Sequence, residues 1–414
     1  MTAPVLFKRK VVAFLNTQYG DIFDDIDESV WHHNLRWLDR SGLALPLAAK
    51  LQLPENWNAV PASIHGILRA RLIDNGKRME EMLRYFHQAS SALAASSVRY
   101  CCVKGFSLIP DCFGSIAERH QVDLDFLITP ADAERARYAI ETLGYRLAQA
   151  EASGEMRFTK PWKKHLGTNA YLYQMPEAPP IELHTRVWEP ETEAVGFPAL
   201  PGFLDDTELH QIAGISFPRL KPAQQFVYLL LHIFRHLLSS WCRLLSLYEV
   251  ATLMSSQSGN DRLWSDVAQI IGHDQGIASA CALVLGVVKL AFPMDLPQPL
   301  QRLHLSADSA LWLENYAREW LFTDPPGTKL SLLVQRQFCA DGDTWRQYVR
   351  RRLLPLRRSP SICEDAAPET ARTLAYRVEQ MQYSVSRVWY HLRSDCEYLA
   401  ARHRWQHLLH TRES

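Results

Sequence analysis

Apolar residues recur at helical spacing through the first 95 residues. Trp31, Leu35 and Leu38 share one face, and Ile64 to Leu93 reads as one long helix with Arg and Glu outside. Pro54 and Pro61 separate the two. From 96 to 190 the period shortens. Cys101-Cys102 lie on an expected core strand that leads into Lys104-Gly105, and Phe106 to Phe113 reads as a helix. In Val122-Asp123-Leu124-Asp125-Phe126-Leu127-Ile128 the acids alternate with apolar residues, as in a strand with one buried face. Residues 129–147 predict a helix, with Ala136, Ala139, Ile140 and Leu143 as its stripe and Gly144 at the C-cap. Pro180-Ile181-Glu182-Leu183-His184 opens a further strand, expected to run through Val187.

Helical periodicity returns from 191 to about 325, after a bridge containing Pro198, Pro201 and Gly202. A last block, 326–414, starts at Asp324-Pro325-Pro326-Gly327 and holds long amphipathic helices with an acidic break at Glu364-Asp365. Four regions follow: helical 1–95, an α/β core at 96–190, helical 191–325 and a helical extension at 326–414. The expected fold is α+β, a small mixed β-sheet flanked by helices, with helical domains before and after it.

The composition supports a buried core and removes several classes. Hydrophobic residues make up 47% of the 414, and the formal net charge is +0, so no global field points to nucleic acid. The eight cysteines include no Cys-x-x-Cys pair, which argues for neither a zinc site nor a disulfide framework and makes a reducing cytoplasm the expected location. Met1 to Lys10 has no long apolar run, and Ala280 to Phe292 is short and contains Lys289, so no membrane span is expected.

The candidate chemistry starts from Asp123 and Asp125. Residues i and i+2 of a strand project to one side, and two carboxylates there repel unless a cation neutralises them. An exposed, purely structural Asp-x-Asp is the competing reading. Glu182, among apolar neighbours, adds a third carboxylate. Three carboxylates from two neighbouring strands can hold Mg²⁺ (or Mn²⁺) over a nucleoside triphosphate. Phosphoryl and nucleotidyl transfer ask mainly for positioning and charge stabilisation, so few further protein groups are required.

The order Lys104-Gly105, then Arg119-x-x-x-Asp123-x-Asp125, a helix ending in Gly144-Tyr145, and Glu182-Leu183-His184 resembles the uncharacterised bacterial nucleotidyltransferases of the polymerase-β-like superfamily. The likeness is specific between Val98 and Val187 and diffuse from about Leu35 to about Pro360. It implies Mg-dependent transfer of a nucleotidyl group from an NTP such as ATP. Asp123, Asp125 and Glu182 would then be the catalytic, metal-binding carboxylates. Lys104-Gly105 would occupy the place of the superfamily's Gly-Gly or Gly-Ser turn, where backbone amides approach the triphosphate. Arg119 would meet a phosphate. His184 should share a side with Glu182, as a base partner or as a satisfied strand histidine, and is grouped with the nucleotide-binding residues.

There are departures: Lys104 stands where a small residue is usual, a second Gly114-Ser115 lies nearby, and Glu249 occupies a region where the family often has Asp. His232 and His236 fall at i and i+4 without an adjacent Glu, which favours structural or substrate-contacting histidines over a zinc site. The cluster Arg346, Arg350, Arg351, Arg352, Arg357 and Arg358 reads as a solvated helix face. Two alternatives stay open: a non-catalytic nucleotide-binding or interaction module, and a transferase using another activated donor such as a sugar nucleotide. The sequence favours a small molecule, saccharide or peptide as acceptor over nucleic acid and leaves the oligomeric state undetermined.

Overall fold

The structure is a computed structural model that describes residues 3–17, 20–150, 154–160, 172–175, 178–188, 193–198, 200, 203–324, 327–354 and 373–413. Pro201, Gly202, Pro325, Pro326, Arg357, Arg358 and the Glu364-Asp365 break lie outside them.

The N-terminal region is helical: α1 (Ala3–Thr17), α2 (Glu28–Ser41), α3 (Ala44–Leu51) and α4 (Ala62–Ala95). Trp31 and Leu38 are fully buried on α2 as their spacing predicts. Proline at the α4 N-cap, Pro61, marks the break before a helix of 34 residues. Next come β1 (Tyr100–Cys102), β2 (Leu124–Ile128), α5 (Ala133–Thr142), β3 (Arg146–Ala150), β4 (Glu155–Thr159) and β5 (Ile181–His184). The sheet is completed by β6 (Thr207–Ile212) and β7 (Ile215–Leu220), in the order β3-β4-β5-β2-β1-β7-β6. It is mixed: β2 runs parallel to β5 and β1 parallel to β7, while β1–β2, β3–β4, β4–β5 and β6–β7 are antiparallel. The fold is thus α+β, with a mixed sheet among helices.

Three local departures from the sequence reading have physical causes. The β6–β7 hairpin falls in a stretch expected to be helical. Its turn is Ala213-Gly214, with φ of 47° and 81°, the two left-handed residues of a tight hairpin turn. Ala at the first position hides a signal that Asn or Asp would have given. After Lys104-Gly105 there is only a 3-10 turn, Gly105–Leu108, and no longer helix before Phe113. Finally, β5 stops at His184, three residues short of Val187.

The sheet's apolar face packs on α4. Phe86 of that helix stacks on Phe126 of β2 at 5.4 Å between ring centroids and meets Phe106 and Phe217 at 5.1 and 4.7 Å. Beyond the sheet lie α6 (Pro222–Leu238), α7 (Leu244–Ser256), α8 (Asp261–Gly272) and α9 (Gln275–Ala291), then short helices up to 335, α10 (Gly342–Leu353) and α11 (Leu374–Glu413). On α10, Arg346, Arg350 and Arg351 are exposed, whereas Arg352 turns inward to Ser239 O and Ser240 Oγ at 2.8 and 2.7 Å. Among the described residues no helix is long and apolar enough to cross a membrane.

Candidate active site

Strand register brings the first two carboxylates together. Asp125 of β2 lies opposite Glu182 of β5, and Leu127 opposite His184, in the parallel pair at the middle of the sheet. Leu124, Phe126, Ile181 and Leu183 fall on the alternate, core-facing side. Asp123 sits one residue before β2 begins, in the loop 115–123 that enters the strand.

That loop is tied to α4 from below. Asn75 Nδ2 donates to Ala117 O at 2.8 Å and to Arg119 O at 3.0 Å, and Arg78 donates to Gln121 O. Gln121 Nε2 in turn donates to Asp123 O at 2.6 Å. Gly105, at φ 64°, packs flat on the same Gln121: a Cβ there would lie 2.3 Å from its Oε1. Only glycine fits, because the backbone is left-handed and the space is already filled. Gly105 therefore secures the loop that carries Asp123.

The charges are dense. Lys104 Nζ lies 2.7 Å from Asp125 Oδ1, and His184 Nε2 lies 3.2 Å from the same oxygen. His184 is also 3.9 Å from both Glu182 and Glu155, and Arg157 is 3.7 Å from Glu182. Burial would push the Asp125 carboxyl up, but Lys104 and His184 outweigh it and hold it well below the usual carboxylate range. Burial also opposes the charge on Lys104, yet Asp125 keeps this ammonium more basic than an ordinary lysine. Asp123 is pushed up by burial and by Asp125. Glu182 is pushed up to about 8 by burial, then by Asp123 and Asp125. His184 is raised because its bond to Asp125 overcomes the cost of burial. Asp123, Asp125 and Glu182 repel one another at close quarters, and a cation held among them would relieve that repulsion.

Asp125, Glu182 and His184 each offer one ligand atom, and the three atoms lie within 4.8 Å of one another. Two carboxylates and an imidazole suit a divalent cation. This set overlaps the expected Asp123, Asp125 and Glu182 without matching it: His184 joins the cluster and Asp123 stands beside it.

All of them open on one cavity of about 460 Å³, whose wall also holds Lys104, Arg119, Arg186, Arg235 and Arg243. Arg119, expected at a phosphate, is anchored by Nε to Glu249 Oε1 at 2.8 Å, so Glu249 sits buried behind the cavity wall as the partner of an arginine in it. His232 and His236 line the cavity with Nε2 atoms 3.0 Å apart. Burial, then Lys104, lowers both, His236 to about 3, so this pair is neutral. The sequence reading missed His120 and Arg243, which touch at 3.5 Å, and Tyr228 beneath His232. His120 directly follows Arg119, and Arg243 sits at the break between α6 and α7. Those positions were the available signals.

Residues 27–293 match a protein family described as uncharacterised nucleotidyltransferase. Neither a curated protein nor a solved structure matches the chain. The match spans well over half the sequence and contains the whole sheet and the cavity wall, so the chain belongs to this family of nucleotidyltransferases and is a transferase enzyme.

Proposed function

We propose that the protein is a divalent-metal-dependent nucleotidyltransferase of the polymerase-β-like superfamily, in its bacterial branch, working in a reducing cytoplasm. It would move a nucleotidyl group from an NTP to a small-molecule, saccharide or peptide acceptor. The observation that carries this reading is the pairing of Asp125 with Glu182 across two parallel strands, with His184 beside them, at the floor of a cavity ringed by arginines. Its volume, about 460 Å³, lies within the usual range for small-molecule sites.

In this reading Asp125, Glu182 and His184 hold the ion, Mg²⁺ or, given the imidazole, Mn²⁺. When bound, the ion offsets charge on the phosphates and on the departing pyrophosphate. The chain does the rest. Arg119, Arg186 and Arg243 present positive charge to the triphosphate, with Arg119 held in place by Glu249. Gly105 acts from behind the wall, through its packing on Gln121, while Lys104 is the residue of that turn that reaches the cavity. The acceptor's oxygen bonds to the α-phosphorus while the bond to the β-phosphate oxygen breaks. The acceptor's proton passes to Asp123, the carboxylate outside the ligand cluster whose proton affinity burial has raised.

The test is pyrophosphate release from each of the four NTPs with Mg²⁺ or Mn²⁺ and a panel of acceptors. Asp125→Asn should lower turnover by about 10²-fold or more. Full turnover in that variant would sink the proposal. One observation favours a second reading: the Lys104 ammonium already occupies Asp125 at 2.7 Å. A lysine fixed there for good would replace the ion and leave a nucleotide-binding module without chemistry. The absence of metal binding by the wild type would select that reading.

A further inference from the structure

Helix α11 is apolar on two opposite sides. One side is docked on the protein: Tyr376, Ser394, Tyr398, Ala401 and Trp405 are buried, with Tyr316 donating to Ala401 O at 3.3 Å and meeting the Trp405 ring edge-on at 6.0 Å between centroids. At 100° per residue these positions share one face of the helix. The opposite face carries Leu374, Val378, Met381, Val385, Val388, Leu392 and Leu399, all exposed, between 40% for Val378 and 78% for Leu374. Trp389, exposed at 69%, flanks them.

These side chains alternate in steps of four and three: 374, 378, 381, 385, 388, 392 and, one heptad after 392, 399. That is the 3.5-residue period of a coiled-coil seam rather than the 3.6 of a helix resting on a single core. Val378, Val385, Leu392 and Leu399 fall in one set of seam positions, with Leu374, Met381 and Val388 in the other. Asp395 is the polar member of the second set and is held sideways by Lys329 at 2.5 Å. The seam spans about 38 Å at the helical rise of 1.5 Å per residue.

From this geometry we propose that the exposed face of α11 pairs with the same face of a second copy of this chain, forming a two-helix coiled-coil dimer. The exposed apolar side chains offer on the order of 900 Å² per copy, against the ~800 Å² each partner gives to a standard-size stable interface. It is also larger than the few hundred Å² that a monomer ordinarily leaves open. Residues flanking the seam are mostly uncharged (Gln382, Ser384, Trp389, His391 and Cys396, with Arg377 the exception), and Asp395 is neutralised by Lys329 of its own chain, which limits like-charge conflict between two copies. α11 lies beyond residue 293, where the family match ends. The dimer contact is therefore an addition to the nucleotidyltransferase unit, and the cavity is not part of it.

The experiment is sedimentation equilibrium on the full chain at micromolar concentration, alongside flotation with vesicles of neutral and of anionic phospholipid. Wild type should sediment at twice the chain mass and leave vesicles unbound. Val385→Glu and Met381→Glu each bury an unpaired charge in the seam and should raise the dimer Kd by about 100-fold or more. Both sites are exposed in the single chain, so the circular dichroism spectrum should keep the wild-type helix content. Ser386→Glu, beside the seam, should keep the dimer. A monomeric wild type, whether or not it binds vesicles, overturns the proposal, and so does a dimer that survives both seam substitutions. Vesicle binding by a monomer would reassign the face to a lipid surface. Pyrophosphate release, measured in parallel, reports on the proposed activity separately.

Discussion

Replacing Lys104 with Met separates a placeholder cation from a permanent one. The ammonium is 13% exposed and Asp125 is 3% exposed, at 2.7 Å. At an effective dielectric of about 20 such a contact is worth roughly 6 kcal/mol before desolvation is subtracted. Removing one partner of a buried pair costs ~3–5 kcal/mol, because the other charge stays behind. His184, 3.2 Å from the same oxygen, covers part of that loss. The expected cost is therefore about 3 kcal/mol, or a fall in Tm on the order of 5 °C for a chain of this size. The same substitution should help metal binding, since an incoming ion no longer displaces the lysine. A gain of about tenfold in Mn²⁺ affinity corresponds to ~1.4 kcal/mol of relieved competition. Differential scanning calorimetry of the metal-free variant and isothermal titration with Mn²⁺ read the two effects separately. An unchanged Tm together with unchanged or weaker Mn²⁺ binding would refute the placeholder account.

Two further outcomes follow from the same charges and from the loop that carries them. Glu182 is raised to about 8 in the fold, so between the ordinary carboxylate range and pH 8 the folded state binds more protons than the unfolded chain. The Glu182 contribution to metal-free stability should fall as pH rises through that window, and it sets the direction of the curve above the ordinary histidine value of about 6.5, where the lowered His232 and His236 bind no proton in either state. The raised His184 acts in the same direction, its contribution being present at low pH and lost as pH climbs through its folded value. Saturating Mn²⁺ should flatten the slope, and thermal melts from pH 5 to 8.5 with and without the ion check this; parallel curves would contradict it. Gly105→Ala places a Cβ 2.3 Å from Gln121 Oε1 in left-handed backbone, and should cost about 2 kcal/mol by urea denaturation while lowering turnover more than it raises the KM for NTP. Wild-type stability in that variant would remove Gln121 as the link to Asp123.

The legible parts of this protein were those written in short-range periodicity. The long helix at Ile64 to Leu93 and the strands around Asp125 and Glu182 announce themselves by spacing, and α4, β2 and β5 lie where that spacing puts them. Strand phase is harder. Asp123 and Asp125 look equivalent in sequence, yet β2 first pairs at Leu124, which leaves Asp123 outside the ladder and aligns Asp125 with Glu182. His184 reaches the cluster for the same reason, two residues along from Glu182. The pair Arg119–Glu249 spans 130 positions and has no local signature at all. The β6–β7 hairpin was hidden by its Ala-Gly turn, since alanine in left-handed backbone is uncommon and gives no hint of a reversal.

The sheet order carries a consequence for how such an enzyme can change over generations. Asp125 and Glu182 are neighbours across one strand pair, but 56 residues of chain lie between them, and the described ones among these include α5, β3 and β4. The connections between α5, β3 and β4 can change in length without altering a residue of the β2–β5 pairing, whereas β4 itself is tied to that pair, its Glu155 and Arg157 lying 3.9 and 3.7 Å from His184 and Glu182. Selection can then rework which molecules the rim admits, one loop at a time, while the reacting centre is inherited unaltered. An architecture of this kind allows a change of clientele that needs no change of chemistry.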